Sequence, residues 1–183
     1  MALRVVAGEA GGRRLVAPRS GARPTSDRVK EALFAALGAE RIVGAVVLDL
    51  YAGSGALGIE ALSRGADRAV FVDIDRRSED AIRANLATTG FTDRARVARA
   101  PAAAFLRRGR HGPFDLVFLD PPYDAGADAV GEVLECLTEP GVLARGATVV
   151  VETRRQAPPD LPSGWSVGWE RGYGDTLLTV STV

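Results

Sequence analysis

Residues 46–73, VVLDLYAGSGALGIEALSRGADRAVFVD, decide the fold. The stretch opens on the apolar run VVLDL, breaks into glycines at Gly53, Gly55 and Gly58, takes helical spacing through ALGIEALSRG, and returns to a second apolar run, AVFVD. Two apolar runs joined through a helix are what parallel strands buried on both faces require, because the crossover helix must lie against the sheet. The glycines fit G-x-G-x-x-G, a turn in which the backbone doubles back and a ligand can approach it closely. Asp73 falls 20 residues beyond Gly53 at the end of the second run, where a ribose-binding carboxylate belongs.

The same alternation continues downstream. A helix from Arg76 to about Thr88, started by Asp75, is followed by a strand at Ala95–Arg99, a helix at Ala102–Arg108, the strand FDLVFLD (114–120), a helix from Gly126 to Leu137 and the strand TVVVET (148–153). WSVGWERG and DTLLTVSTV then follow with no helix between them. The expected fold is α/β: a Rossmann-like, doubly wound, mostly parallel sheet closed by a C-terminal antiparallel hairpin. Upstream, Ser26 or Asp27 can cap a helix whose apolar face is Val29, Leu33, Phe34 and Leu37, with Gly38 at its end. Residues 1–24 are rich in Gly, Pro and Arg and read as a short basic N-terminal arm or hairpin, with a short strand at Arg4–Ala7, ahead of a domain over 25–183.

Composition narrows the function classes. No apolar run approaches the 18 or more residues of a membrane span, and the N-terminal residues lack the apolar core of a signal peptide, so a cytoplasmic protein is expected. With Cys136 the single cysteine and His111 the single histidine, neither a disulfide framework, a cysteine-based metal site nor a Ser-His-Asp triad has raw material, and no metal is expected. Cys136 sits at helical spacing and reads as a buried thiol; His111, in a turn-like segment, reads as a plain surface residue. The net charge is zero, yet residues 1–30 hold Arg4, Arg13, Arg14, Arg19, Arg23, Arg28 and Lys30 against only Glu9 and Asp27. An arginine-rich arm on an acidic body points to nucleic acid, because guanidinium pairs bidentately with phosphate.

Two cofactor classes compete for the glycine turn. A dinucleotide would set its pyrophosphate at the helix N-terminus, where the Asp49 carboxylate just before the turn would repel it. S-adenosylmethionine carries an ammonium and a sulfonium, which Asp49 would attract, so the methyl donor is favoured. Asp49 capping the turn's own amides is the alternative.

Asp120–Tyr123 (DPPY) ends the fourth strand, at the sheet edge where such folds bind ligands. Its chemistry suits an exocyclic amine on a nucleobase. The Asp120 carboxylate and the Pro121 carbonyl can accept the two N–H groups, orient the nitrogen toward a methyl group, and stabilise the positive charge that develops there. Pro121 and Pro122 present carbonyls rigidly, and Tyr123 can stack on the base, a contact worth about 1 to 3 kcal/mol. An ordinary Asp-Pro-Pro turn is the bland alternative.

VVLDLYAGSGALGIEALSRGA, AVFVDID and FDLVFLDPPYD resemble the cofactor, ribose-binding and catalytic motifs of class I S-adenosylmethionine-dependent methyltransferases. Together with RVVAGEAGGRRL and RPTSDRVKEALFAAL, they resemble the bacterial 16S rRNA guanine-N2 methyltransferases that modify guanine 966, over nearly the whole chain. The resemblance implies a cofactor site at Asp49, Tyr51, Gly53, Ser54, Gly55, Asp73, Ile74, Ala100 and Asp120, and a grip on the target amine at Asp120, Pro121, Pro122 and Tyr123. It also implies RNA contacts from Arg4, Arg13, Arg14, Arg19, Arg23 and Arg28, with Thr25–Arg28 near the site. The implied partner is 16S ribosomal RNA or the assembling small subunit, and a monomer is the default expectation. One departure stands out: many relatives carry an Asp after the third strand for the adenine amino group, whereas this chain has Ala100, Pro101 and Ala102, so backbone groups are expected to contact adenine there. Cys136 is remote from DPPY, which disfavours ring-carbon methylation through a cysteine nucleophile. Adenine-N6 methylation of DNA or RNA and a non-catalytic RNA-binding module are the remaining alternatives.

Overall fold

The elements run in chain order α1 (Asp27–Leu37), β1 (Val46–Leu50), α2 (Ala56–Ser63), β2 (Arg68–Asp73), α3 (Arg76–Thr89), β3 (Ala95–Arg99), α4 (Ala102–Arg107), β4 (Phe114–Leu119), α5 (Ala127–Leu137), β5 (Leu143–Arg154), β6 (Ser166–Tyr173) and β7 (Thr176–Thr182). The computed structural model describes residues 3–18, 27–109, 111–122 and 126–183. Among them the strands form one sheet in the order β3-β2-β1-β4-β5-β7-β6, parallel from β3 through β5 and antiparallel from β5 through β7 to β6. No helix among the described residues is long and apolar enough to cross a membrane.

The pleat sorts the core. Val47, Ala69, Phe71, Leu116, Phe118 and Val150 pack under α1, α2 and α3, whereas Leu48, Leu50, Val70, Val72, Val117, Leu119, Val149 and Val151 pack under α4 and α5. Burial of each such large apolar side chain contributes roughly 1.5 to 3 kcal/mol. The C-terminal hairpin belongs to the same core, with Leu178 and Val180 buried and Trp169 and Tyr173 packed beside them.

Local signals set the helix ends. The Asp75 side chain accepts from Arg77 N at 3.0 Å and starts α3, while Gly90, left-handed at φ 83°, ends it. Leu33, Phe34 and Leu37 of α1 are buried as their spacing predicts, but so is Lys30, whose ammonium donates to Arg4 O and lies 3.5 Å from Asp27 Oδ1. The fifth strand is longer than the TVVVET segment: it starts at Leu143, because an irregularity in the pairing between Phe114 and Leu116 lets residues before Thr148 rejoin β4.

The arm, over residues 3–18, is a small docked hairpin, in place of an extended strand at Arg4–Ala7. Arg4 and Arg14 form an isolated bridge, and Leu15 N donates to Leu3 O at 2.8 Å. Leu3, Val5, Ala10 and Leu15 are buried in the core shared with α1, α2 and α3. Glu60 of α2, fully buried, accepts from Val6 N at 2.7 Å, Ala7 N at 3.1 Å and Arg64 Nε at 2.7 Å. Ser63 adds three more ties, its Oγ accepting from Ala10 N at 2.9 Å and donating to Ala7 O at 2.6 Å, and its carbonyl accepting from Glu9 N at 2.8 Å. A buried carboxylate is tolerated only when it is bonded in this way.

Candidate active site

In the sheet order, β1 and β4 lie side by side while the chain runs β1 to β2 to β3 on one side and β4 to β5 on the other, so the switch point falls between them. Leu50 is flanked by Val72 and Leu119 in register. One residue further along these three strands stand Tyr51, Asp73 and Asp120, and β3 ends beside Asp73 and leads into Ala100. The sheet therefore gathers Tyr51, Asp73, Ala100 and Asp120 at one carboxyl edge.

The glycine turn is held by carboxylates. Asp49 points to the α2 face, and its Oδ2 accepts from Gly58 N at 2.9 Å. Gly58 has to be glycine: a Cβ there would lie 2.4 Å from the Phe71 ring and 3.1 Å from Asp49 Oδ2. Asp73 Oδ2 accepts from Gly53 N at 2.8 Å and Oδ1 from Asp75 N at 2.8 Å. Tyr51 adopts a left-handed backbone at φ 57°, alone among the described non-glycine residues, a conformation that costs on the order of 1 to 3 kcal/mol. Turns that bind ligands are where such strain collects.

Burial pushes the Asp49 carboxyl up to about 8; the Gly58 N–H pulls the other way, and the nearby Asp73 adds a smaller upward push. This arrangement tests the two cofactor classes. Gly58 N and Gly53 N, donors that a pyrophosphate would want, are already bonded to carboxylates, and a second anion would face Asp49 and Asp73 together. A cationic ligand fits, because its charge would favour the ionised form of Asp49. The turn-capping alternative for Asp49 is thus realised in its bond to Gly58 N, and it is compatible with attraction of a cation.

Beside the turn lies a cavity of about 160 Å³, walled by Tyr51, Val72, Asp73, Ile74, Ala100–Ala103, Ala129, Glu132 and Val133. Ile74 is 67% exposed at the strand end, a large apolar side chain available to a planar ring. Ala100 N, a candidate backbone donor, is committed to Asp73 O at 3.0 Å. Asp120 is half-buried, and its N–H lies 3.5 Å from Leu50 O; Pro121 is buried and Pro122 exposed. Tyr123 lies outside the described residues, as do Thr25, Ser26, Arg19 and Arg23.

The arm's arginines divide. Arg4 pairs with Asp27 at 2.8 Å, and the Arg13 guanidinium donates to Thr88 O, so both already hold the fold. Arg14 and Arg28 are exposed and form no ion pair among the described residues. His111 is half-buried, its ring stacked on Phe105 at 4.2 Å, in contrast to the plain surface residue its turn suggests. Its pKa is lowered by burial first and then by Arg96 and Arg108.

Sequence reasoning missed Asn85. Fully buried on α3, it donates through Nδ2 to Ser54 O at 2.8 Å and to Val16 O at 2.9 Å, and accepts from Val16 N at 2.7 Å. One side chain thereby joins the glycine turn to the end of the hairpin. A signal was present: Asn85 occupies the apolar face of α3 with Ala81, Ile82 and Leu86, where a polar side chain needs partners.

A Rossmann-like sheet with a carboxylate-held glycine turn at the switch point, suited to a cation and an adenosyl group, defines an S-adenosylmethionine-dependent methyltransferase. The chain belongs to the family described as Conserved hypothetical protein 95, whose model matches residues 3–182. It is 41% identical over 174 residues to ribosomal RNA small subunit methyltransferase D of Escherichia coli K12, covering 94% of this chain and 85% of that one. The namesake from Haemophilus influenzae is 37% identical over 175 residues, covering 94% and 89%. Among solved structures, Escherichia coli yhhF, named provisionally as a methyltransferase, superposes with a TM-score of 0.86 at 39% identity, covering 100% of this chain and 98% of that one.

Proposed function

We propose that the chain methylates the exocyclic N2 amine of a guanine in small-subunit ribosomal RNA, with residues 1–24 as the RNA-engaging arm of a methyltransferase body over 25–183. The observation that carries this reading is the convergence of Asp49, Asp73 and the Asp120–Pro122 turn on one sheet edge beside the glycine turn. The names of the family's relatives support ribosomal RNA as the substrate.

In this reading the turn from Tyr51 to Gly55 and Asp49 hold the methionine end of the cofactor, and Asp73 takes the ribose hydroxyls on its remaining lone pairs. Ile74 and Ala100 border the adenine. When bound, S-adenosylmethionine supplies an electrophilic methyl carbon on a sulfonium, which leaves as a neutral thioether. The chain's own contribution is alignment. Asp120 accepts one N–H of the target amine and the Pro121 carbonyl the other, which fixes the nitrogen for in-line attack and removes water from it. The amine proton becomes acidic only as the N–C bond forms, so Asp120 or a water accepts it late. Tyr123 stacks on the guanine, and Arg14 and Arg28, with Arg19 and Arg23, engage phosphates. An RNA whose target base is already unstacked lowers the flipping cost of a few kcal/mol. The reading places a monomer in the cytoplasm, acting on free 16S RNA or on the assembling subunit.

Incubation with labelled methyl donor and undermethylated small-subunit RNA or subunits, with duplex DNA alongside, followed by nucleoside analysis, tests the reading. The expected product is N2-methylguanosine in RNA, abolished by Asp120→Ala while cofactor affinity stays within a few-fold. N6-methyladenosine as the product, or near-normal turnover in that variant, overturns it.

A further inference from the structure

We propose that Glu132 of α5 recognises the exocyclic amine of the cofactor's adenine; this rests on the methyl-donor reading above. An adenine amine presents two N–H donors, and a cavity that takes it from water must supply an acceptor or forfeit that hydration. The cavity wall nearest β3 cannot do so with side chains, because Ala100, Pro101, Ala102 and Ala103 carry no polar atom beyond the backbone. Three polar side chains line the cavity: Tyr51, Asp73 and Glu132. Asp73 is tied on both oxygens to Gly53 N and Asp75 N, on the turn side where the ribose belongs.

Glu132 reaches the cavity from the helical layer opposite the turn. Its Oε1 is bonded to the Arg107 guanidinium of α4, and its Oε2 has no hydrogen bond among the described residues. The carboxylate is therefore anchored at one oxygen and open at the other. Tyr51 senses the same charge: its hydroxyl pKa is raised by burial first and then by Glu132, so it stays protonated as a neutral donor. A carboxylate accepts an amine but repels a carbonyl oxygen at the same position, so Glu132 selects adenosyl over inosyl. Arg107 is a positioning residue that holds the acceptor against the α4–α5 gap.

The test is calorimetric titration with S-adenosylhomocysteine and with its deaminated analogue S-inosylhomocysteine, in which a carbonyl replaces the amine. Wild-type protein should bind the adenosyl compound at least about tenfold more tightly. Glu132→Gln, whose amide can donate to the carbonyl, should bring the two affinities within about threefold. Glu132→Ala should weaken the adenosyl compound about tenfold and bind the inosyl compound somewhat more tightly, because the repulsion of its carbonyl is gone. Variants that bind either ligand are folded, and Glu132 is solvent-accessible, so loss of fold is not a competing outcome. An adenosyl-to-inosyl ratio unchanged in both variants overturns the assignment while leaving the methyl-donor reading intact. Wild-type protein that binds neither compound overturns both.

Discussion

Replacing Asn85 by alanine removes three hydrogen bonds at once, two to Val16 and one to Ser54 O. A typical intramolecular hydrogen bond contributes about 0.5 to 1.5 kcal/mol net, and a buried group left unpaired costs more. Val16 is 58% exposed, so water can take up its N–H and carbonyl, and the loss there stays at the low end. Ser54 is half-buried and Asn85 fully buried, which adds the cost of a small void. The expected destabilisation is about 2 to 3 kcal/mol, a fall in Tm of roughly 5 to 10 °C for a chain of this size. Because the Ser54 carbonyl belongs to the glycine turn proposed to hold the cofactor, affinity for S-adenosylhomocysteine should fall about five- to tenfold as well. Urea denaturation gives the first quantity and calorimetry the second. A loss below about 0.5 kcal/mol with unchanged cofactor affinity would refute the view that this side chain couples arm and turn.

The other predictions concern charge. Asp49 has a folded pKa of about 8 against an ordinary value of 3.8, so between those values the folded state holds a proton that the unfolded state has lost. Its contribution to stability is complete below the lower value and declines as pH rises through the upper one. Asp49→Asn should remove up to ~1.4 kcal/mol per pH unit of that decline, seen as a changed slope in urea unfolding between these limits; parallel profiles would contradict the burial argument. The ammonium of S-adenosylhomocysteine should draw the proton off Asp49, so its affinity should rise with pH up to about 8, and a flat profile would separate Asp49 from the ligand. Converting both Arg14 and Arg28 to Gln should lower RNA affinity and reduce the slope of log K against log salt by about 1.4 to 1.8, whereas an unchanged slope would make these arginines bystanders. Arg4→Gln should register mainly as lost stability through Asp27.

Much of this architecture was legible because its signals are local and periodic. Apolar runs, an Asp75 cap and glycines at the turn act through neighbours in sequence, and the helices and strands fall within a few residues of where these place them, apart from the early start of β5. The positions of Asp49, Asp73 and Asp120 followed from one rule about strand tips. What escaped was long-range pairing: Glu60 with Val6, Lys30 with Arg4, and Asn85 with Val16 join residues 26 to 69 positions apart. Arg4 and Arg13 look like free phosphate ligands in the sequence because nothing local announces Asp27 or Thr88 as their partners. His111 differs, because the Phe105 ring its side chain stacks on is close in sequence, near the end of α4, and only the path of the chain brings the two rings together.

The missing methyl at Gly58 reaches well beyond Phe71. With only a hydrogen there, α2 can settle low on the sheet, and that seating height determines where Glu60 and Ser63, further along the same helix, meet the hairpin. Residues 3–18 thus hang from a clearance of one carbon atom, on the layer opposite the cavity beside Ile74. A bulkier residue at position 58 would tilt the suspension as a whole, displacing Arg14 and its neighbours in the hairpin without touching any of their atoms.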